Sequence, residues 1–391
     1  MRILYIHNDY IKPSGEEHAS GELVALLEEY DHEVRWFKRS SNEIKGLYGK
    51  VKSFFTGIYN PYTAKKLAKL LDEYKPDIIQ IQNLYPFIST SIFKPIKERK
   101  IPTVMRCPNY RLFCPNGLSL DPDGKVCEKC WGKGHELWCI RKNCEQSRFK
   151  SIGYAVRNAF ARISRNILDG VDVFIVQSEF QKRKFEGQGI PSSKIGIVAG
   201  ILPIIETEKY SETGEWVSFV GRVSEEKGIY EFIETARNLP NITFKVAGSL
   251  DGNFIMPKVL PDNIEFMGFI KGEELNEFYS KSKIIVVPSK WYEGFPNVIL
   301  RGMLLRKPVV TTNIGAMESI IDNDINGLLV SPGSIEDLSE KISILYNDTD
   351  RCKSMGENGY QKAIKEYSRE QIYSSLMNAY KQAIKNNKLR S

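Results

Sequence analysis

Histidine is scarce in this chain, four residues in 391, and no stretch approaches 18 consecutive apolar residues. His18, His32 and His135 have no partners at metal-ligand spacing and read as surface or core residues, and the missing apolar run excludes a transmembrane helix. Polybasic tracts are missing too. The formal charge of +7, from 55 basic and 48 acidic residues, is a mild excess spread along the chain. That balance speaks against nucleic-acid binding and suits an anionic small molecule or an anionic membrane surface. No signal-peptide pattern opens the sequence: Met1 runs straight into the strand-like RILYIH, which reads as a cytoplasmic protein. The D-x-D strings at Asp121/Asp123, Asp322/Asp324 and Asp348/Asp350 sit among turn-forming residues, so they are expected to be turns and not catalytic metal sites.

What is present is length, 42% hydrophobic residues and a regular alternation of short apolar runs with longer amphipathic ones. A chain this long exceeds one ordinary core, and the alternation is that of parallel α/β units. Six strands are expected at Ile3 to Ile6, Val34 to Phe37, Ile78 to Ile81, Thr103 to Met105, Val171 to Val176 and Ile195 to Val198. Six more follow at Val217 to Val220, Thr243 to Ala247, Ile264 to Met267, Ile284 to Val287, Val309 to Thr311 and Leu328 to Val330. The fold class is therefore α/β with two doubly wound, Rossmann-like domains and a ligand cleft between them. The polar segment from Leu202 to Gly214 marks the boundary, giving domains at 1–203 and 204–366, with a closing helix at 367–391 whose apolar stripe (Ile372, Leu376, Ala379, Ile384) needs a surface to cover. Ser178 with Gln181, Ser334 with Asp337 and Ser368 with Gln371 mark helix starts.

The loops after strands carry the candidate chemistry. In IIVVPSKWYEGFPN a buried strand ends in a loop bearing Glu293, and Pro296 is placed as the first residue of the next helix. The mouth of that helix offers unpaired N–H groups and a positive dipole end, which suits a phosphate-bearing ligand, and a carboxylate there fits sugar hydroxyls. In VSFVGRVSEEKGI, Arg222 ends a strand and Lys227 follows five residues on, a planar fork and a point charge able to neutralise a diphosphate; the bland alternative is two surface charges. After the first strand, Ser14 and Gly15 allow close backbone approach to a ligand, or simply form a turn, and His7 lies at the strand's end.

These motifs, in this order, resemble the retaining glycosyltransferases of the GT-B fold belonging to family 4. GRVSEEKGI is similar to that family's phosphate loop, PSKWYEGFPNVIL to its donor loop and TTNIGAMESIIDNDINGLLVSPGS to the segment after the next strand. The likeness is closest to a bacterial branch that builds cell-envelope polysaccharides, carried by His7 to Glu17 and by Asn109 to Gly117. The resemblance implies that Arg222 and Lys227 hold the diphosphate of a nucleotide sugar, and that Glu293 with the backbone of Gly294, Phe295, Pro296 and Asn297 holds the donor sugar and phosphate. It further implies His7, Asn109 and Tyr110 in the cleft or acceptor site, and transfer to a glycan or lipid-linked acceptor with no metal needed for catalysis. Three positions depart from the pattern: Arg301 replaces a second glutamate, Pro108 a histidine, and Gln80 with Gln82 a histidine pair. Arg301, one turn beyond Asn297, is a candidate third cation or an internally paired residue. The departures also keep open a catalytically impaired relative acting as a nucleotide- or glycan-binding partner, and another GT-B enzyme such as a sugar-nucleotide epimerase.

Six of the seven cysteines fall between Cys107 and Cys144, within an insertion at about 107–147. In a reducing compartment the Cys127/Cys130 knuckle reads as structural zinc before disulfides. The resemblance implies Cys114, Cys127, Cys130 and Cys144 as the ligands, with Cys139 the alternate. Cys107, at a strand end, reads as a buried apolar residue. Lys45, Lys50 and Lys52 with Phe54, Phe55 and Tyr59, followed by a basic run from Arg148 to Arg165, suit peripheral contact with the inner face of an anionic membrane, or a packed aromatic core with solvated lysines.

Overall fold

The computed structural model describes residues 1–10, 15–43, 46–132, 134–210, 214–252 and 254–390. They form two compact units. The first holds Met1–Pro122, Cys127–Ala199 and the chain from Ile372 onward, and the second holds Gly200–Gln371 with the short piece Asp123–Val126.

The first unit is built on a six-stranded sheet of β1 (Arg2–Asp9), β2 (Glu33–Ser40), β3 (Ile78–Asn83), β4 (Thr103–Arg106), β5 (Val173–Val176) and β6 (Ile195–Ile197), in the order β2-β1-β3-β4-β5-β6 with every pairing parallel. The second is built on β7 (Trp216–Val220), β8 (Phe244–Ala247), β9 (Ile264–Gly268), β10 (Ser282–Val287), β11 (Val309–Thr312) and β12 (Gly327–Val330), in the order β12-β11-β10-β7-β8-β9, again all parallel. All twelve expected strands are present. The unbroken apolar runs are the reason: Ile3 to Ile6 and Ile284 to Val286 are fully buried, as strands covered on both faces by helices require.

Each sheet reverses its winding once. In the second unit the reversal lies between β7 and β10, so the loops leaving those two neighbours diverge to opposite faces and leave a crevice at their carboxyl ends, where open α/β sheets take their ligands. In the first unit it lies between β1 and β3.

The helix Arg369–Arg390 returns to the first unit from Ile372 on. Ile372, Leu376, Ala379 and Ala383 are its buried stripe, Ala383 taking the place expected for Ile384. Tyr380 donates its hydroxyl to Gln80, Tyr373 stacks on Tyr30 with ring centroids 3.7 Å apart, and Asn387 donates to the carboxylate of Asp172 at 3.2 Å. Truncating the fully buried Leu376 to alanine is worth about 2–5 kcal/mol by the usual scale for a core leucine. All three expected helix starts are capped: Ser178, Ser334 and Ser368 accept from the backbone N–H of Gln181, Asp337 and Gln371. No helix among the described residues is long and apolar enough to cross a membrane.

Candidate functional site

The crevice of the second unit is assembled from the loops after β7, β10 and β11. Beyond β7 the chain makes a turn of 3-10 helix, Glu225–Lys227, and enters the helix Ile229–Asn238 through Gly228, which holds φ +78°. A side chain at Gly228 would start 2.0 Å from the carbonyl oxygen of Pro288, directly after β10. Glycine at this point therefore lets two backbones touch, and that contact brings Lys227 to Glu293 across 66 residues of sequence. The Lys227 ammonium lies 2.5 Å from Glu293 Oε1, which also accepts from Ser289 Oγ at 2.8 Å and from Trp291 Nε1 at 2.9 Å. Glu293 is buried while Lys227 is about a quarter exposed. On the far side Gly315, at φ +70°, leaves room for a close approach: a Cβ there would meet the Glu293 amide nitrogen at 3.2 Å. Thr312 of β11 donates to the carbonyl of Ser289 at 2.6 Å and fixes the start of the Glu293 loop.

Arg222 sits at the mouth of the same crevice. Its guanidinium pairs with Glu226 at 2.5 Å and with Asp251 at 3.4 Å, and Ser224 donates to the same Glu226 oxygen at 2.7 Å. Arg222 is about half exposed, so these ion pairs hold it in place without contributing much stability. Lys227 and Arg222 thus each have an internal carboxylate partner, a pairing that sequence reading does not reach.

The helix after the Glu293 loop runs Asn297–Leu304, with Ile299, Leu300, Met303 and Leu304 on its buried side. Pro296 is its N-cap, at φ −82° and ψ 95°, one place before the first helical position expected for it. A proline cannot cap with a side-chain acceptor, and no side chain caps this helix; the Ile299 N–H is taken by the Pro296 carbonyl at 2.9 Å. Phe295 lies beside Tyr367, ring centroids 5.4 Å apart. Arg301 points elsewhere: it donates to Asn276 and lies over the ring of Tyr279, 6.0 Å from the centroid. The internally paired alternative describes it, and the expected third cation beside Asn297 is not formed.

In the first unit, Ser14 lies outside the described residues, and Gly15 is the first residue of the helix Gly15–Glu29. His7 is buried at the end of β1, where one ligand atom each from His7, Asp9 and Glu17 lie within 4.8 Å of one another. Burial holds the His7 imidazole below its ordinary pKa against the opposing pull of Glu16, Asp9 and Glu17. Asn109 caps its own turn, accepting from the Arg111 amide at 3.0 Å, and lines a cavity of about 350 Å³ at the carboxyl ends of β3 and β4. Tyr110 corrects the acceptor-side expectation. Its ring is buried 5.4 Å from that of Trp131, in the core of the cysteine-rich insertion, and does not line this cavity. Gln80 and Gln82 are structural: the first accepts from Tyr380, and the second accepts from Tyr5 at 3.3 Å and donates to Glu16 at 3.3 Å.

The five candidate zinc ligands gather in one region. Burial, reinforced by the neighbouring Cys114, Cys144 and Cys127, pushes the Cys130 thiol up to about 12. Cys139 and Cys144 share a hydrogen bond that raises the first and lowers the second, as one proton held between two sulfurs would. Among the described residues no three of these sulfurs lie within 4.8 Å of one another, a looser spacing than a closed tetrahedral shell. The chemistry of the donor set fits zinc: clustered thiols whose ionisation is opposed by burial and by one another would gain most from a shared cation. Cys107 is buried and donates to the Met105 carbonyl at 3.6 Å, apart from the set. The aromatic segment contributes the helix Gly46–Ile58, in which Phe54 packs on Phe149 at 5.6 Å while Phe55 stays exposed. Lys45 lies outside the described residues.

Sequence reading passed over the arginines around the first unit's cavity. Arg106 closes β4 with its guanidinium buried, Arg111 reaches Tyr10 and Asn83, and Arg157 is sandwiched between the rings of Tyr85 and Tyr154 at 4.2 and 4.4 Å. An arginine ending an apolar strand, as in TVMRC, is the one local signal that could have marked Arg106.

Residues 204–362 match the family described as glycosyl transferases group 1. An uncharacterized glycosyltransferase of Methanocaldococcus jannaschii is 33% identical over 171 residues, 42% of this chain and 47% of that protein. The capsular polysaccharide biosynthesis glycosyltransferase CapM of Staphylococcus aureus is 28% identical over 178 residues, 43% of this chain and 46% of the relative. The chain thus spans about half the length of these curated relatives. The crystal structure of Anabaena HepE in complex with UDP superposes with a TM-score of 0.64 at 17% identity, covering 97% of this chain and 99% of that one, which establishes the two-unit, Rossmann-like architecture of the GT-B class.

Proposed function

We propose that the chain moves a sugar, with retention, from a nucleoside-diphosphate donor to a growing cell-envelope polysaccharide or lipid-linked glycan, a reading supported by the match of residues 204–362 to the glycosyl transferases group 1 family. The observation that carries this reading is the Lys227–Glu293 pair, set at the winding reversal of the second sheet beside the helix Asn297–Leu304 with no side-chain cap. The donor's diphosphate takes the place of internal carboxylates as partner to Lys227 and Arg222, and the helix mouth adds N–H donors. Glu293, released from Lys227, accepts from the sugar hydroxyls. Catalysis on this account is electrostatic: fixed cations stabilise the departing diphosphate while the acceptor hydroxyl is held at the anomeric carbon, and no catalytic metal is required. The staphylococcal relative's role in capsule synthesis and the UDP held by the Anabaena protein support the acceptor class and the donor class.

Cys114, Cys127, Cys130 and Cys144, with Cys139 hydrogen-bonded alongside, would hold a zinc ion of structural role. It folds an insertion too poor in apolar residues to order itself. A second reading, a catalytically impaired binding partner, is favoured by one observation, the engagement of Arg301 with Asn276 where the resemblance expects a glutamate.

Calorimetry and transfer assays with a panel of UDP and GDP sugars test the proposal. Arg222→Ala and Lys227→Ala are each expected to weaken the bound donor by about 1–3 kcal/mol, the scale of a charge-assisted contact. Unchanged affinity in both rejects the site, and binding without turnover of any donor selects the second reading.

A further inference from the structure

The cavity at the ends of β3 and β4 contains a buried guanidinium whose hydrogen-bond donors are not all used. Arg106 is 3% exposed and lines the cavity, yet neither its Nε nor its Nη1 has a hydrogen-bond partner. Buried cations are ordinarily paired and hydrogen-bonded, because the low-dielectric interior penalises an unmatched charge. Arg111, on the same wall, donates only to the neutral oxygens of Tyr10 at 3.2 Å and Asn83 at 3.3 Å. The other charges of the lining are already matched: Arg162 with Glu136 at 2.6 Å and Arg165 with Asp169 at 3.0 Å. Glu16 and Tyr5 face Arg106, and Glu16 and Glu145 face Arg111 with Arg157 beside it, so the nearby carboxylates are shared among three guanidiniums.

Part of the remaining wall is apolar, formed by Leu84, Met105, Leu112, Ile163, Ile167 and Leu168, while Gln82, Asn109, Asn158 and Gln188 add neutral polar groups. Ile163 is 72% exposed at the last turn of the helix Arg148–Ser164, whose outer face also exposes Phe149, Ile152 and Val156. A volume of about 350 Å³ exceeds a bare phosphate and leaves space for several methylene groups behind it.

We propose that this cavity binds a phosphate-bearing amphiphile, its anionic head on Arg106 and Arg111 and its hydrocarbon chain along Ile163, Ile167 and Leu168. The site lies wholly within the first unit and is separate from the donor crevice. It rests on the proposed function only in casting such a molecule as the acceptor, and binding is measured with no donor present, so the two readings fail independently.

The test is calorimetric titration of the full chain with submicellar dodecyl phosphate, with inorganic phosphate and dodecyl maltoside as head-only and chain-only probes. Dodecyl phosphate is expected to bind at least tenfold tighter than either. Arg106→Met is expected to weaken it at least tenfold while the unliganded protein melts no lower than wild type. If that variant misfolds, Ile163→Ser, at an exposed position, is expected to weaken dodecyl phosphate three- to tenfold and leave inorganic phosphate unchanged. Equal binding of dodecyl maltoside, or undiminished binding of dodecyl phosphate by Arg106→Met or by Ile163→Ser, overturns the assignment.

Discussion

Glu293→Gln separates the two tasks given to this side chain, because it keeps an acceptor oxygen for Ser289 and Trp291 and removes only the charge that engages Lys227. At an effective dielectric near 20, a unit charge pair about 4 Å apart attracts by about 4 kcal/mol, and desolvation of a carboxylate as buried as Glu293 offsets most of that. A net stability loss of about 1–2 kcal/mol follows, readable as a lower denaturation midpoint at unchanged slope. The effect on ligands carries opposite signs. On the proposed donor site, a bare nucleoside diphosphate competes with Glu293 of the wild type for the Lys227 ammonium, whereas a sugar-bearing donor recovers that loss by giving Glu293 hydroxyls to hold. In the variant, UDP or GDP should therefore bind about tenfold tighter, near 1.4 kcal/mol, while the matching sugar nucleotide gains less or loses. Calorimetry with each pair of ligands measures the difference. Equal shifts for the bare diphosphate and its sugar conjugate would refute the claim that Glu293 addresses the sugar.

Further outcomes follow from the same geometry. Gly228→Ala forces a side chain into a left-handed backbone 2.0 Å from the Pro288 carbonyl, so it should cost at least about 2 kcal/mol in chemical denaturation and weaken the donor by spreading Lys227 from Glu293. His7 is kept neutral by burial, with its native pKa below the unfolded value near 6.5, so stability is full above that pH and declines as pH falls through it until the native pKa is passed; His7→Gln should flatten that decline in melting curves taken between pH 7.5 and 5. Freshly reduced protein should carry about one zinc per chain by elemental analysis, and Cys130→Ser should abolish it, with metal-free wild type contradicting the four-thiolate shell.

The frame was legible because it rests on local pattern. Ile3 to Ile6 or Ile284 to Val287 cannot be half-exposed strands, and a serine three places before Gln181 or Asp337 has one ordinary use. Pairings over long sequence distances were not legible. Nothing near Lys227 says that its partner is a carboxylate 66 residues on, and nothing near Arg301 names Asn276. Tyr110 was misplaced for a related reason. A motif gives a residue's neighbours along the chain, while its burial under Trp131 is decided by how the cysteine-rich insertion folds back. Pro296 missed by one place because proline tolerates both the cap and the first helical position, and the close approach of Gly200 to Phe295 and Asn297 constrains the entering chain at this point.

The two units use strand ends of similar geometry with contrasting electrostatics. In the second, Lys227 and Arg222 are satisfied by Glu293, Glu226 and Asp251 before any ligand arrives, so a charged ligand exchanges partners and the unliganded state loses little. In the first, Arg106 Nε and Nη1 are left without hydrogen bonds in the cavity, and the proposed amphiphile's head would supply them. Removing a charge should therefore act on stability with opposite sign in the two places: destabilising at Glu293, where a matched pair is broken, and neutral or stabilising at Arg106, where no pair exists. A donor that must leave as a diphosphate after each turnover suits the exchanging arrangement, because its release restores the internal partners.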